Sequence, residues 1–293
     1  MDRPEAIGEA LREAVARLRE SGSPSARLDA EVLLAHVTGR DRAWLLANPE
    51  AQLAERAAFD AALGRRAGGE PVAYIRGFKD WHALRLRTDA RALIPRPETE
   101  LLADAAIAEI AARLARDDAP LAAWDVAAGS GAIAVAVALR FRQALTLGRL
   151  ALVASDLSPE ALELASENLA EHGVDSLVSL ACADLLDPAG ETLARPDVIT
   201  ANLPYVSSAE VDERRGSLGF EPRVALDGGP DGLVILRRFM NDLPHRAAAG
   251  ATVLLELGVD QSSIIGAMAP AGALVSVVPD LANLDRVVRM NLP

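Results

Sequence analysis

Among its 293 residues the chain has one cysteine, Cys182, and four scattered histidines. A single thiol excludes an intrachain disulfide framework and a multi-cysteine metal site, and it predicts a reducing, cytoplasmic setting with no resident metal. Long apolar runs are also missing. The run from Ala132 to Leu139 stops well short of the roughly 20 residues a membrane span needs. Met1-Asp2-Arg3-Pro4-Glu5 lacks the basic-then-apolar pattern of a secretory leader, so neither a membrane nor a secreted protein is expected. Lysine is nearly absent, with Lys79 standing against 29 arginines. Together with the abundant alanine this reads as a genomic base-composition bias and not as an arginine-rich binding signal. Aromatics make up 3% of the chain, and three of them, Tyr74, Phe78 and Trp81, gather in one short stretch.

What is present is an ordinary globular composition, 51% hydrophobic and 25% charged, in a chain long enough for two domains. Residues 1–90 carry 14 acidic and 14 basic side chains, so the net charge of −12 falls wholly on residues 91–293. That half repels a phosphate backbone, which argues against stable nucleic-acid binding, and attracts a basic protein partner.

Helical spacing predicts helices over Pro4–Glu20, from Ser23-Pro24 onward with Leu28, Val32, Leu33 and His36 inward, and around Arg42–Ala47 and Leu53–Arg66. From Pro71 the pattern turns toward alternation through Tyr74, Phe78, Trp81, Leu84 and Leu86, which predicts a β-hairpin whose aromatics pack between domains or, alternatively, stack on bases. After Pro97 helices and apolar strands alternate. The expected architecture is α/β, a doubly wound, mainly parallel seven-stranded sheet, with a helical domain over 1–70, a hairpin linker over 71–95 and the sheet domain over 96–293. Strands are expected near Ala122–Ala127, Leu150–Ser155, Leu177–Ala181, Asp197–Ala201, Ala251–Leu257, Leu274–Val278 and Arg286–Met290. Between them, helices are expected near Glu98–Arg116, Ala132–Arg140, Pro159–His172, Gly232–Leu243 and Gln261–Met268.

Two constellations carry chemistry. In Asp125-Val126-Ala127-Ala128-Gly129-Ser130-Gly131 a strand runs into a glycine turn and a helix, and the next strand ends in Asp156. Glycines let a ligand approach the backbone, and a carboxylate at that place accepts hydrogen bonds from a ribose diol, so a nucleoside-bearing cofactor is indicated without choosing which. The second is Asn202-Leu203-Pro204-Tyr205, at the end of a further strand. An amide or adenine NH2 is a poor nucleophile and needs acceptors that hold both hydrogens while its nitrogen is aimed at an electrophile. Asn202 Oδ1 and the Leu203 carbonyl suit that task, because Pro204 restricts Leu203 to extended conformations, and Tyr205 can stack on the planar group.

With both constellations present, the chain resembles the PrmC/HemK-type protein-(glutamine-N5) methyltransferases that use S-adenosylmethionine to modify peptide-chain release factors in translation termination. The resemblance covers nearly the whole chain. It runs through Ala26-Arg27-Leu28-Asp29-Ala30-Glu31, Glu70-Pro71-Val72-Ala73-Tyr74-Ile75, the specific Leu93-Ile94-Pro95-Arg96-Pro97-Glu98-Thr99-Glu100, Phe220-Glu221-Pro222, Asp227-Gly228-Gly229-Pro230-Asp231-Gly232-Leu233 and Asp285-Arg286-Val287-Val288. It implies that Thr99, Asp125, Ala127, Ala128, Gly129, Ser130 and Gly131 border the cofactor, mostly at its methionine end. It further implies that Asp156 holds the ribose, that Asp184 and Leu185 meet the adenine, and that Asn202 touches both cofactor and substrate. Asn202, Leu203, Pro204 and Tyr205 are the implied catalytic and substrate-binding set, and the helical domain is expected to dock the release factor.

Three departures stand out: Ala127-Ala128 where glycine usually comes first, Leu203 for the usual first proline, and Asn283-Leu284 where a glycine turn is usual. The Asn-Leu-Pro-Tyr form also occurs in enzymes that methylate adenines of ribosomal RNA, which leaves an adenine-N6 methyltransferase acting on RNA or DNA as the alternative. An NAD-linked oxidoreductase accounts only for the glycine turn, and a non-catalytic cofactor-binding module requires that Ala127-Ala128 block the pocket.

Overall fold

A computed structural model describes residues 6–116, 118–188, 194–214, 216–258 and 261–293, and it divides into two compact units. The first comprises the chain up to Phe78 together with Arg214–Glu221. Its helices are α1 (Ile7–Glu20), α2 (Ala26–Thr38), α3 (Arg42–Ala47), α4 (Arg56–Ala67) and α5 (Val72–Arg76). On α1 the buried Ile7, Ala10, Ala14 and Leu18 recur every three or four residues and meet Leu33, Leu34, Phe59 and Leu63 from α2 and α4. Helix α3 starts where the Asp41 carboxylate accepts the Trp44 backbone N–H at 2.7 Å.

The inward face of α2 differs from expectation. Leu28 and His36 are exposed, whereas Asp29 and Glu31 are buried. Arg66 Nε donates to Asp29 at 2.8 Å, the Ser23 and Ser25 hydroxyls donate to the same carboxylate, and Glu31 accepts from Arg27 and Arg42. Buried acids paired in this way occupy the place that apolar spacing assigned to Leu28 and His36. Tyr74 lies in the one-and-a-half-turn helix α5, entered after Pro71 and ended by Gly77 at φ 75°, and not in the hairpin. Phe78 packs edge-on against His36, with the Arg76 guanidinium 4.0 Å from its ring centroid.

The second unit opens with the hairpin β1 (Phe78–Trp81) and β2 (Leu84–Arg87), of which it contains all but Phe78. Trp81 is buried there and donates its indole N–H to the Arg96 carbonyl at 2.8 Å, so this aromatic is packed and not a stacking platform. The chain continues through α6 (Thr99–Arg116), β3 (Leu121–Val126), α7 (Ala132–Arg140), α8 (Arg142–Thr146), β4 (Leu150–Asp156), α9 (Pro159–Glu171), β5 (Val178–Asp184), β6 (Asp187–Pro188) and β7 (Val198–Ala201). It ends with α10 (Ser208–Asp212), α11 (Val234–Arg246), β8 (Thr252–Glu256), α12 (Ser262–Met268), β9 (Leu274–Pro279) and β10 (Asp285–Asn291).

The sheet order is β6-β5-β4-β3-β7-β8-β10-β9. Strands β5, β4, β3, β7 and β8 are parallel, while β10 runs antiparallel between β8 and β9. The seven expected strands are present, and the two-residue β6 adds an antiparallel eighth against β5. Every residue of β3 and β8 is buried, as a parallel sheet covered on both faces requires. Helices α6 and α7 pack one face, and α11 with α12 the other. Because β3 enters mid-sheet, with β4 on one side and β7 on the other, the chain reverses direction of winding between β3 and β7. The crevice at their carboxyl ends is where open α/β sheets bind ligands. Asn283 stands at φ 60°, so the turn that usually carries glycine here uses a residue whose short amide tolerates the left-handed region. Among the described residues no helix is long and apolar enough to cross a membrane.

Candidate active site

At the carboxyl ends of β3, β4, β5 and β7 a cavity opens, wholly within the second unit. Its lining includes Thr99, Asp125, Ala127, Ala128, Gly129, Ser130, Asp156, Asp184, Leu185, Asn202, Leu203 and Pro204. The turn after β3 is wound tightly, with Ala127 at φ 55°, Gly129 at 55° and Gly131 at 76°. Alanine in that left-handed conformation costs on the order of 1–2 kcal/mol, so the Ala127 departure leaves backbone strain at the cavity wall. Asp156 fastens the turn: its Oδ2 accepts from the Gly129 N–H at 2.8 Å and its Oδ1 from the Ser158 N–H at 2.9 Å. The fully buried Asn168 donates to the Ser130 carbonyl at 2.9 Å from below. Burial raises the Asp156 carboxyl above its ordinary range, and these backbone donors pull it back.

Asp125 ends up deeper. It is 2% exposed, Thr200 Oγ1 donates to its Oδ1 at 2.9 Å, and its buried Oδ2 has no hydrogen-bond partner among the described residues. Burial pushes its carboxyl up to about 7, assisted by the neighbouring charge of Asp156. Across the cavity, Asp184 accepts from Arg238 at 2.6 Å, and Asn202 Nδ2 donates to Thr99 Oγ1 at 3.3 Å.

The loop Asn202 to Tyr205 rests on the segment 227–232. The Val206 N–H donates to the Leu226 carbonyl and the Gly228 N–H to the Val206 carbonyl, and Asp227 Oδ1 accepts from Ser208 Oγ and the Gly229 N–H. A Cβ on Gly228 would stand 2.7 Å from the Pro204 carbonyl oxygen, so only glycine lets these two loops meet.

Two implied contacts are not part of the cavity lining. Gly131 faces α9, where a Cβ would lie 3.0 Å from Ala165 Cβ, so the close approach of that helix requires glycine here. Tyr205 lies half-buried beside Gly258, and burial together with the negative field of Glu256 raises its hydroxyl. Sequence reasoning passed over Glu256, Thr200, Asn168 and Arg238. Glu256 alone left a signal, as an acid closing an otherwise apolar strand. Among the described residues no group of three or more His, Cys, Asp or Glu side chains is placed to hold a metal.

The family of the PrmC N-terminal domain matches residues 9–77. A release factor glutamine methyltransferase of Rhodopirellula baltica is 36% identical over 280 residues, covering 93% of this chain and 91% of that protein. One of Cereibacter sphaeroides is 37% identical over 290 residues, covering 97% and 98%. The chain belongs to the release factor glutamine methyltransferase family. Among solved structures, the hMettl16 catalytic domain in complex with a MAT2A 3′UTR hairpin matches with a TM-score of 0.52 at 11% identity, over 79% of this chain and 82% of that one, which shows a shared fold.

Methyltransferase relatives imply a methyl donor such as S-adenosylmethionine, and the cavity fits it: Asp125 Oδ2, a buried carboxylate oxygen with no partner among the described residues, suits a cationic ligand, and Asp156 suits a diol. A proton on Asp125 must leave before it can pair with a cation. Cofactor affinity is therefore expected to fall as pH drops below 7 and to level off above it, by about tenfold between pH 8 and pH 6. Calorimetry across that range reads the slope, and Asp125→Asn should flatten it. A slope unchanged in that variant would remove Asp125 from the linkage.

Proposed function

We propose that this chain transfers a methyl group from S-adenosylmethionine to the side-chain amide nitrogen of the glutamine in the Gly-Gly-Gln loop of peptide-chain release factors, in the cytoplasm. The observation that carries the reading is the Asn-x-Pro-Tyr loop ending a central strand and opening, with Asn202 and Leu203, onto the same cavity as the glycine turn. Near-full-length identity to release factor glutamine methyltransferases supports the substrate.

Bound S-adenosylmethionine supplies an electrophilic methyl group on a sulfonium. Asp156 would hold its ribose, Asp125 its cationic end, and Asp184 with Leu185 its adenine. Asn202 Oδ1 and the Leu203 carbonyl accept the two hydrogens of the substrate amide, which fixes the nitrogen for in-line attack. Once alkylated, the nitrogen is acidic and yields its proton to water, so no histidine base is needed. A glutamine flanked by glycines can extend into a narrow site because its neighbours have no side chains to strike the walls. The acidic charge of residues 91–293 favours a basic, ribosome-binding substrate.

Incubation with labelled S-adenosylmethionine and separate pools of release factor, ribosomal RNA and DNA tests the assignment. Label is expected in the release factor. Label in adenine would transfer the reading to the alternative nucleic-acid methyltransferase.

A further inference from the structure

Glu256 is the last residue of β8, and the parallel register that pairs Ala201 with Leu255 sets it beside Asn202 at the carboxyl edge of the sheet. It is 7% exposed, and its Oε2 has no hydrogen-bond partner among the described residues. Thr99 and Asn202 both favour the charged form of its carboxyl, and Thr99 Oγ1 accepts from Asn202 Nδ2 at 3.3 Å. A carboxylate only accepts, so an amide beside it is favoured with its NH2 end near and its carbonyl oxygen away. The NH2 end of the Asn202 amide is thereby held on the side of Thr99 and Glu256, and Oδ1 is left for the cavity.

We propose that Glu256 is a positioning residue: with Thr99 it fixes the Asn202 amide so that Oδ1, and not Nδ2, meets the substrate NH2. The proposal rests on the reading of Asn202 as an acceptor for that group. An amide is nearly symmetric in shape and can turn by 180° when nothing distinguishes its ends. In the turned state its NH2 would face the substrate NH2, donor against donor, and the nitrogen to be methylated would be pushed out of line. Burial of a carboxyl group costs free energy, and here burial raises its pKa, so the group is not kept at this place for stability alone.

The test uses the full chain, S-adenosylmethionine and release factor. Glu256→Ala is expected to lower kcat about 10- to 100-fold, the effect of a small misplacement of a reacting group, with the Kd for S-adenosylhomocysteine within about twofold of the parent. Glu256→Gln keeps a carbonyl acceptor and should restore kcat to within about threefold. In an Asn202→Ala background Glu256→Ala should cause no further loss, because the residue it orients is gone. Parental kcat in Glu256→Ala would overturn the proposal, and so would an equal loss with and without Asn202. Lost cofactor binding in Glu256→Ala that Glu256→Gln does not repair would make the residue structural. Normal turnover in Asn202→Ala alone would instead sink the acceptor reading, and this proposal with it.

Discussion

Replacing Asn202 with alanine is expected to lower turnover about 10²–10³-fold while leaving cofactor affinity comparatively intact, by analogy with removal of one preorganised donor from an oxyanion hole. The side chain stands at the end of β7, half-buried, with its Nδ2 on Thr99 and its loop braced by the glycines of 227–232. Its loss removes one of two acceptors that hold the substrate nitrogen, and water cannot replace it with the same aim. The cavity walls that would carry most cofactor contacts, around Gly129 and Asp156, are on other strands and stay as they are. Single-turnover rates with release factor, compared with calorimetry on S-adenosylhomocysteine, separate the two effects. Turnover within a few-fold of the parent would take Asn202 out of the chemistry.

For Asp156→Ala the expected loss is in binding, about tenfold to a hundredfold in affinity for S-adenosylhomocysteine. Charge-assisted hydrogen bonds contribute about 1.5–3 kcal/mol, and every 1.4 kcal/mol is about tenfold. The structure adds a second reason, since the same carboxylate ties the Gly129 and Ser158 N–H groups and so shapes the turn that Ala127 strains. Asp156→Asn retains one acceptor for the turn and should fall between the parent and Asp156→Ala. Unchanged affinity in a folded Asp156→Ala protein would show that the ribose does not sit there.

Much of the fold was legible because its strands obey a strong rule. Buried parallel strands such as Thr252–Glu256 read as continuous apolar runs between helices, and their order of appearance fixes where the cavity opens. Some of the shortest elements were not legible. The five residues of α5 are too few to show a helical period, and the two of β6 exist only because β5 offers an edge. Exposure of Leu28 and His36 was hidden because Asp29 finds its partner Arg66 far along the chain, which no local spacing reveals.

The site divides in the same way. Asn202, Asp156 and the glycine turn are neighbours in recognisable motifs, so they were found together. Gly131 belongs to the same motif, but the neighbour that forbids a side chain there, Ala165 on α9, is not visible in the local spacing. Glu256 joins Asn202 only through the register of β7 against β8, a relation that sequence spacing does not contain.

The central claim is that the nitrogen methylated by this chain is a glutamine amide presented at full side-chain length. Mass spectrometry of a release factor after reaction, with the intact Gly-Gly-Gln loop and with its Gln→Asn counterpart, tests it most directly. One added methyl on the loop glutamine, and none on the asparagine that falls one methylene short of the methyl donor, is the predicted result. Equal methylation of the two proteins, or methyl groups at another residue, would contradict it.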